Sequence, residues 1–200
     1  MNTITTTLTT SAVFSDDGVK RYSLEKVWDD TKPSLAIIML APSEASGIAL
    51  DNTTLLVLNN ASRLGYGSVT VVNLFARIDD FALRQAEDED PENMEAILSA
   101  AQKADAVVYA AGVGKAQNKA FQQRQKQVMT ALRPMESKLF CLSDEDGQAR
   151  LQHPLSPAVR TWTLSPLKVS ELVKHKPREI PIPAKKENKR NTSSIKPSLP

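Results

Sequence analysis

Asn73 and His153 are the residues whose types and positions best suit ligand chemistry. Asn73 interrupts an otherwise apolar run, Val69–Phe75. A carboxamide offers a donor and an acceptor together, which suits the edge of a nucleobase. His153 stands between a polar turn and a proline, where an imidazole could donate a hydrogen bond to a developing anion. Structural roles also stay open, because an Asn can satisfy a neighbouring loop and a loop histidine can simply be exposed.

Two loops could lie beside these side chains. Ala41-Pro42-Ser43 follows an apolar run, and Gly112-Val113-Gly114-Lys115 follows another. The second loop is not a Walker phosphate loop, because Tyr109 replaces the required first glycine and Ala116 replaces the Ser or Thr after the lysine. It is typical of a structural turn, although its backbone N–H groups could still approach an anion.

Four apolar runs alternate with helical patterns and set the framework for these loops. The runs, which predict strands buried on both faces, are residues 35–40, 69–75, 106–111 and 138–142. Helices are predicted over residues 53–64, 91–104 and 115–132. Asp16-Asp17-Gly18 predicts an N-terminal hairpin. We therefore expect an α/β three-layer sandwich around a mainly parallel four-stranded sheet, with ligands at the carboxyl ends of its strands.

The composition excludes several classes of protein. No apolar stretch approaches the roughly 20 residues needed to span a membrane, and the N-terminus lacks the pattern of a secretory signal. One cysteine, Cys141, cannot form an internal disulfide and suits a reducing compartment. With one Cys and two His a zinc site is not expected. We predict a cytoplasmic protein without membrane attachment, metal or cofactor.

The charge is divided unevenly along the chain. Residues 174–200 carry eight Lys or Arg and two Glu, a net charge of +6, whereas residues 1–173 carry seventeen basic and twenty-one acidic side chains, a net charge of −4. We expect one domain over residues 1–173, followed by a disordered basic tail. The tail either contacts nucleic acid phosphates or only keeps the protein soluble.

The order of five segments resembles an uncharacterised microbial domain family, over about residues 14–165. These segments are Arg21-Tyr22-Ser23-Leu24 with Trp28, Leu40-Ala41-Pro42-Ser43, Gly65-Tyr66-Gly67, Val72-Asn73-Leu74-Phe75 and His153-Pro154-Leu155. That family usually has Leu-Asn-Pro-Ser at the strand end. The order is also similar, more distantly, to the uracil-DNA glycosylase superfamily, with its proline loop, its base-reading Asn and a late His-Pro-Ser-Pro-like loop.

The glycosylase resemblance implies roles for individual residues. Pro42 and Ser43 would belong to the water-positioning loop beside the base, Asn73 would read the base, and His153 would stabilise the departing base anion. The residues that would approach the nucleic acid backbone are Ser156, Pro157, Gly112, Gly114 and Lys115.

Two departures limit the resemblance. Ala41 replaces the Asp or Asn of many glycosylases and cannot orient water, so another acid is needed, and Asp51 and Glu44 are the local candidates. One glycosylase branch does have Leu-Ala-Pro at this position. An inserted leucine, Leu155, also alters the late loop.

Three functions follow as hypotheses. The first is a glycosylase-like nucleic-acid protein that binds an extruded base of DNA, or of another nucleic acid, and can hydrolyse its N-glycosidic bond. The second is a non-catalytic nucleic-acid or nucleotide-binding module. The third is a hydrolase or transferase that acts on a free nucleoside or nucleotide. The sequence does not identify protein partners, which stay unknown.

Overall fold

Eleven regular elements make up the part of the chain that this computed structural model describes, residues 1–43, 47–78, 90–112, 118–148 and 150–173. In chain order they are β1 (Thr9–Phe14), β2 (Arg21–Val27), β3 (Ser34–Met39), α1 (Asn52–Arg63), β4 (Ser68–Asn73), α2 (Pro91–Lys103), β5 (Ala106–Tyr109), α3 (Lys119–Ala131), β6 (Leu139–Ser143), β7 (Thr163–Pro166) and α4 (Val169–Val173). Short 3₁₀ segments at Arg133–Lys138 and Pro157–Val159 precede β6 and β7. Residues 174–200, the expected tail, lie outside the described residues.

All seven strands form one mixed sheet in the order β1-β2-β4-β3-β5-β6-β7. Strands β4, β3, β5 and β6 pair in parallel, while β1, β2 and β7 add antiparallel pairings. The protein is therefore mixed α/β. The expected four-stranded, mainly parallel sheet is not confirmed, because half of the six pairings are antiparallel. The N-terminal hairpin of β1 and β2 belongs to this sheet rather than standing before it.

Helices cover both faces of the sheet, because successive side chains of a buried strand point in opposite directions. Ile37 packs in a cluster with Val57 of α1. Its neighbour Ile38 packs on the other face with Ile97 of α2 and Phe121 of α3. All five side chains are at most 2% exposed, and burying each contributes about 1.5–3 kcal/mol.

Each of the three longer helices begins at a side chain that caps its N-terminus. The carboxylate of Asp51 accepts a hydrogen bond from the Thr54 N–H at 2.6 Å in α1. Asp90 and Asn118 cap α2 and α3 in the same way. These caps satisfy N–H groups that have no partner inside the helix. Within the described residues, no helix combines the length and apolar character needed to cross a membrane.

A β-bulge in β2 turns the side chains of Arg21 and Tyr22 toward different parts of the molecule. Phe14 pairs with Arg21 but Val13 pairs with Ser23, so Tyr22 is an extra residue on the second strand. The Tyr22 hydroxyl hydrogen-bonds to Glu92 of α2. The Arg21 side chain instead reaches the loop after β3, under the opposite face. Bulges commonly re-aim side chains in this way near functional sites.

Candidate functional site

The order in which the parallel strands are added to the sheet reverses between β3 and β5. From β3 the chain passes through α1 to β4 on one side, and it later returns through α2 to β5 on the other side. The loops after β3 and β5 therefore separate toward opposite faces of the sheet. A crevice at such a point, outside the carboxyl ends of the strands, is where open α/β sheets bind ligands.

The loop after β3 is held by its neighbours. Pro42 is buried, and the Phe75 N–H donates to the Leu40 carbonyl at 3.0 Å. Arg21 donates from Nη1 to the Ser43 carbonyl at 3.2 Å. Pro42 and Ser43 thus lie just beyond the carboxyl end of β3, and their role beside a base stays a prediction. Glu44, the second candidate acid, lies outside the described residues.

Asp51 is an ionised carboxylate beside this loop. Burial alone would raise its pKa, but hydrogen bonds from the Ser43 hydroxyl and the Thr54 N–H, together with the Arg21 charge, outweigh that effect. The pKa of Asp51 therefore lies below its ordinary value of 3.8. The same carboxylate caps α1, so one side chain has a structural task and also presents a negative charge at the switch point.

His153 lies against the loop after β5 and is neutral. A Cβ built on Gly112 would be 3.2 Å from the His153 Cβ. The Leu155 N–H donates to His153 Nδ1 at 3.2 Å, so the proton of the neutral ring lies on Nε2. Burial lowers the pKa of His153 from 6.5, and the negative charge of Asp51 opposes that shift. His153 is thus a neutral Nε2–H donor within range of the Asp51 charge.

Asn73 ends β4 and carries an amide without a hydrogen-bond partner among the described residues. Its side chain is 0% exposed, and neither Nδ2 nor Oδ1 makes a hydrogen bond. Alternation along β4 places it on the α1 face with Val71. A buried amide in this state costs about 1–3 kcal/mol, so the position requires an explanation.

The backbone at the end of β4 is fixed from the opposite face. Asn93 donates from Nδ2 to the carbonyls of Asn73 and Leu74, each at 3.1 Å. Arg124 donates from Nε to the Leu74 carbonyl at 2.8 Å. These bonds fix the backbone at the end of β4 and do not involve the Asn73 side chain.

The late loop folds back on itself next to His153. The Ser156 N–H donates to the His153 carbonyl, and its hydroxyl donates to Gln152 Oε1, both at 2.8 Å. Pro157 is exposed and begins the 3₁₀ segment. Gly112 is described, whereas Gly114 and Lys115 lie outside the described residues.

Arg21, which bonds to the loop after β3, is a site residue that the sequence did not predict. Arg21 is 1% exposed, although arginine is rarely fully buried unless it is paired. Simple alternation with Tyr22 and Leu24 points Arg21 away from the α1 face. Only the bulge at Tyr22 reverses that direction, and no local pattern of residues predicts it.

Two cavities lie away from the predicted site residues. One, of about 420 Å³, lies between α2 and the antiparallel strands and is lined by Tyr22, Glu92 and Lys103 among others. The other, of about 290 Å³, lies near Tyr66 and Asp105. Because Asn73 is fully covered, a ligand reaches its amide only if the covering side chains move. The described residues hold no group of three or more His, Cys, Asp or Glu arranged for a metal ion.

Fold and site together define a mixed α/β domain with a polar cluster at a topological switch point, formed by Arg21, Ser43, Asp51 and His153. The chain belongs to a family described as protein of unknown function, DUF1643, whose model matches residues 21–155. The match begins at Arg21 and ends two residues after His153, so it spans the whole cluster. The expected membership of an uncharacterised domain family is confirmed. No curated protein and no solved structure matches, so the glycosylase resemblance gains no support from these comparisons.

Proposed function

We propose that this domain binds an extruded nucleobase at the switch point and hydrolyses its N-glycosidic bond. The observation that carries the proposal is the fully buried amide of Asn73, which has no hydrogen-bond partner among the residues that the structure describes. A base edge that offers an acceptor and a donor side by side satisfies both atoms of a carboxamide. Binding of the base would then remove the free-energy cost of burying this amide without hydrogen bonds.

Other side chains at the switch point match the needs of such a reaction. Water attacks C1′ of the sugar, the C1′–N bond breaks, and its electron pair leaves with the base. His153 Nε2–H would donate to the base anion as that charge develops. Asp51 would take the proton of the attacking water, a task that the Ala41 methyl group cannot perform. Pro42 and Ser43 would form the wall beside the base.

Nucleic acid would lie over the loops around this pocket. Ser156 and Pro157 of the late loop and Gly112 after β5 would approach the phosphate backbone, with Gly114 and Lys115 continuing that contact. The net charge of −4 on residues 1–173 does not attract DNA, so the +6 tail would supply the electrostatic part of binding. Duplex DNA is therefore the first substrate to test.

The test is strand cleavage at abasic sites. The full chain is incubated with duplexes that contain uracil, other deaminated bases or hypermodified bases, and then with alkali. We expect cleavage on at least one substrate, with loss of cleavage and of base-specific affinity in Asn73→Ala and His153→Ala. The absence of abasic sites on every substrate, with both variants binding like the unmodified protein, would refute the catalytic proposal.

Ala41 favours a second candidate, a module that binds an extruded base or a nucleotide without cleaving it. A methyl group here neither orients nor activates water. This alternative keeps the role of Asn73 and predicts binding without abasic sites. Base-specific affinity that depends on Asn73, in the absence of any cleavage, would select it.

A further inference from the structure

Strand β1 is one edge of the sheet, and no strand among the described residues pairs with its outer side. The Trp28 N–H of the segment that continues β2 bonds to Gly67, on the β4 side. Since alternate residues of β2 bond to β4 and to β1, Thr9, Ser11 and Val13 of β1 bond inward. The N–H and carbonyl groups of Thr10 and Ala12 therefore point outward. Those of Phe14 point outward too, because its partner Arg21 donates its N–H to Ala76 on the β4 side.

This edge lacks the features that protect exposed strands from pairing. Residues 1–15 contain no charged residue, no proline and no glycine. Natural edge strands are usually blocked by such residues or by their short length. Apolar side chains are also exposed along it, with Leu8 49%, Val13 55% and Phe14 40% exposed.

The opposite edge of the sheet is protected. Strand β7 has four residues and ends at Pro166, which has no N–H to donate. Head-to-tail pairing of β1 with β7 of another copy would extend a sheet without limit, and the short β7 edge opposes it. Pairing of β1 with its own copy closes on itself about a twofold axis.

We propose that two copies of this chain pair through their β1 strands in an antiparallel arrangement and form a dimer with one continuous sheet. The outward groups of Thr10, Ala12 and Phe14 would bond to the same groups of the second copy. Because β1 carries no charge, no like charges meet when it lies beside its copy. The exposed Val13 and Phe14 side chains lie along the new interface and lose contact with water there. This inference does not depend on the proposed function.

Light scattering after size-exclusion chromatography of the full chain tests the dimer. We expect twice the mass of one chain at ~100 µM, where a Kd of about 1 µM leaves most of the protein paired. Ala12→Pro removes one outward N–H without removing a bond to β2, and we expect the mass of one chain. Asp16→Pro is the matched control, because it adds a proline at the turn where Gly18 N–H bonds to Ser15, a position that tolerates proline, and it should remain dimeric.

A second variant and a second measurement are needed if circular dichroism shows that Ala12→Pro is unfolded. Val13→Lys places a charge diagonally across the interface from its copy and removes an apolar side chain from that interface. Repulsion and the lost apolar burial together should weaken the dimer at least about tenfold. Amide exchange of Thr10, Ala12 and Phe14 should be at least about tenfold slower in the unmodified protein than in Val13→Lys. A monomeric unmodified protein, or a dimer that survives both variants with these amides unprotected, would overturn the proposal.

Discussion

Gly112 lies directly against His153, so that a Cβ added to the glycine would come within 3.2 Å of the His153 Cβ. The glycine also has a backbone φ of +73°, which L-residues rarely adopt. A side chain at residue 112 would therefore crowd His153 where the loop after β5 meets the late loop. This contact places the imidazole beside the switch point.

Gly112→Ala should destabilise the fold and move the imidazole. The backbone strain costs about 1–2 kcal/mol, and the close contact adds a displacement of His153. Gly65→Ala is the matched control, because Gly65 has a φ of +87° but no atom within 4 Å of the added Cβ. Urea unfolding should show a loss in both variants, while the NMR signals of His153 should shift only in Gly112→Ala. Equal His153 spectra in the two variants would show that the contact does not position the ring.

Asn73→Leu should stabilise the free protein while it abolishes binding. Leucine has a similar shape and removes an amide that is buried without a partner, so unfolding should require about 1–2 kcal/mol more. Asn60→Leu is the matched control, since Asn60 is 4% exposed and donates to the Leu56 and Arg160 carbonyls, each at 3.0 Å. That variant should lose about 1–3 kcal/mol. Loss of stability in both variants would mean that the Asn73 amide has a structural partner.

The local elements could largely be read from the sequence because each has a local cause. The apolar run at residues 35–40 became β3, Ser34–Met39, and the predicted cap and proline at residues 90 and 91 begin α2. Strand β7 and helix α4 have four and five residues, too few to show a period. The antiparallel pairing of β2 with β4 joins strands distant in sequence, and no local pattern determines it.

Site residues could be predicted from the sequence where their residue type is enough to single them out. They could not be predicted where their direction depends on strand register or on where a helix begins. An Asn within an apolar strand is visible in the sequence, and so is a His before a proline. Whether Arg21 faces α1 depends on the one extra residue at Tyr22. The dual role of Asp51 depends on where α1 begins relative to the loop after β3.

The imidazole of His153 should titrate below 6.5, because burial disfavours its charged form. Asp51→Asn should lower that pKa further, since the carboxylate charge opposes the shift. Asp30→Asn, an exposed position, is the control and should leave it unchanged. The chain has two histidines, so NMR titration can resolve each. A His153 pKa above 6.5, or one indifferent to Asp51→Asn, would contradict the geometry.

The same shift predicts how stability depends on pH. The folded pKa of His153 lies below the unfolded value, so between the two the unfolded chain binds more protons. Stability should therefore fall as the pH is lowered from 6.5 toward the folded pKa. His153→Gln should flatten the plot of the urea unfolding midpoint against pH in this range. The loss of stability at lower pH, near the pKa of Asp51, should remain.

Removal of residues 174–200 should weaken DNA binding and flatten its dependence on salt. The tail carries +6 and the remainder −4, and each phosphate contact contributes about 0.9 to the slope of log K against log salt. We expect the slope to fall by several units while any preference for a particular base persists. A truncated chain with the unmodified slope would show that the tail only solubilises the protein.

Asp51 can be tested as the base that takes the proton of the attacking water without loss of its cap. Asp51→Ala removes the cap and the carboxylate, whereas Asp51→Ser retains a capping oxygen and should be about 1 kcal/mol more stable than Asp51→Ala. Both variants lose the charge that faces Arg21 to the same extent. Both variants lack a carboxylate, so both should lose base release in the alkali assay. Asp90→Ala removes the cap of α2 and should destabilise the protein while it leaves base release intact. Because Asp51→Ser separates stability from chemistry, base release at the unmodified rate in that variant would assign Asp51 a purely structural role.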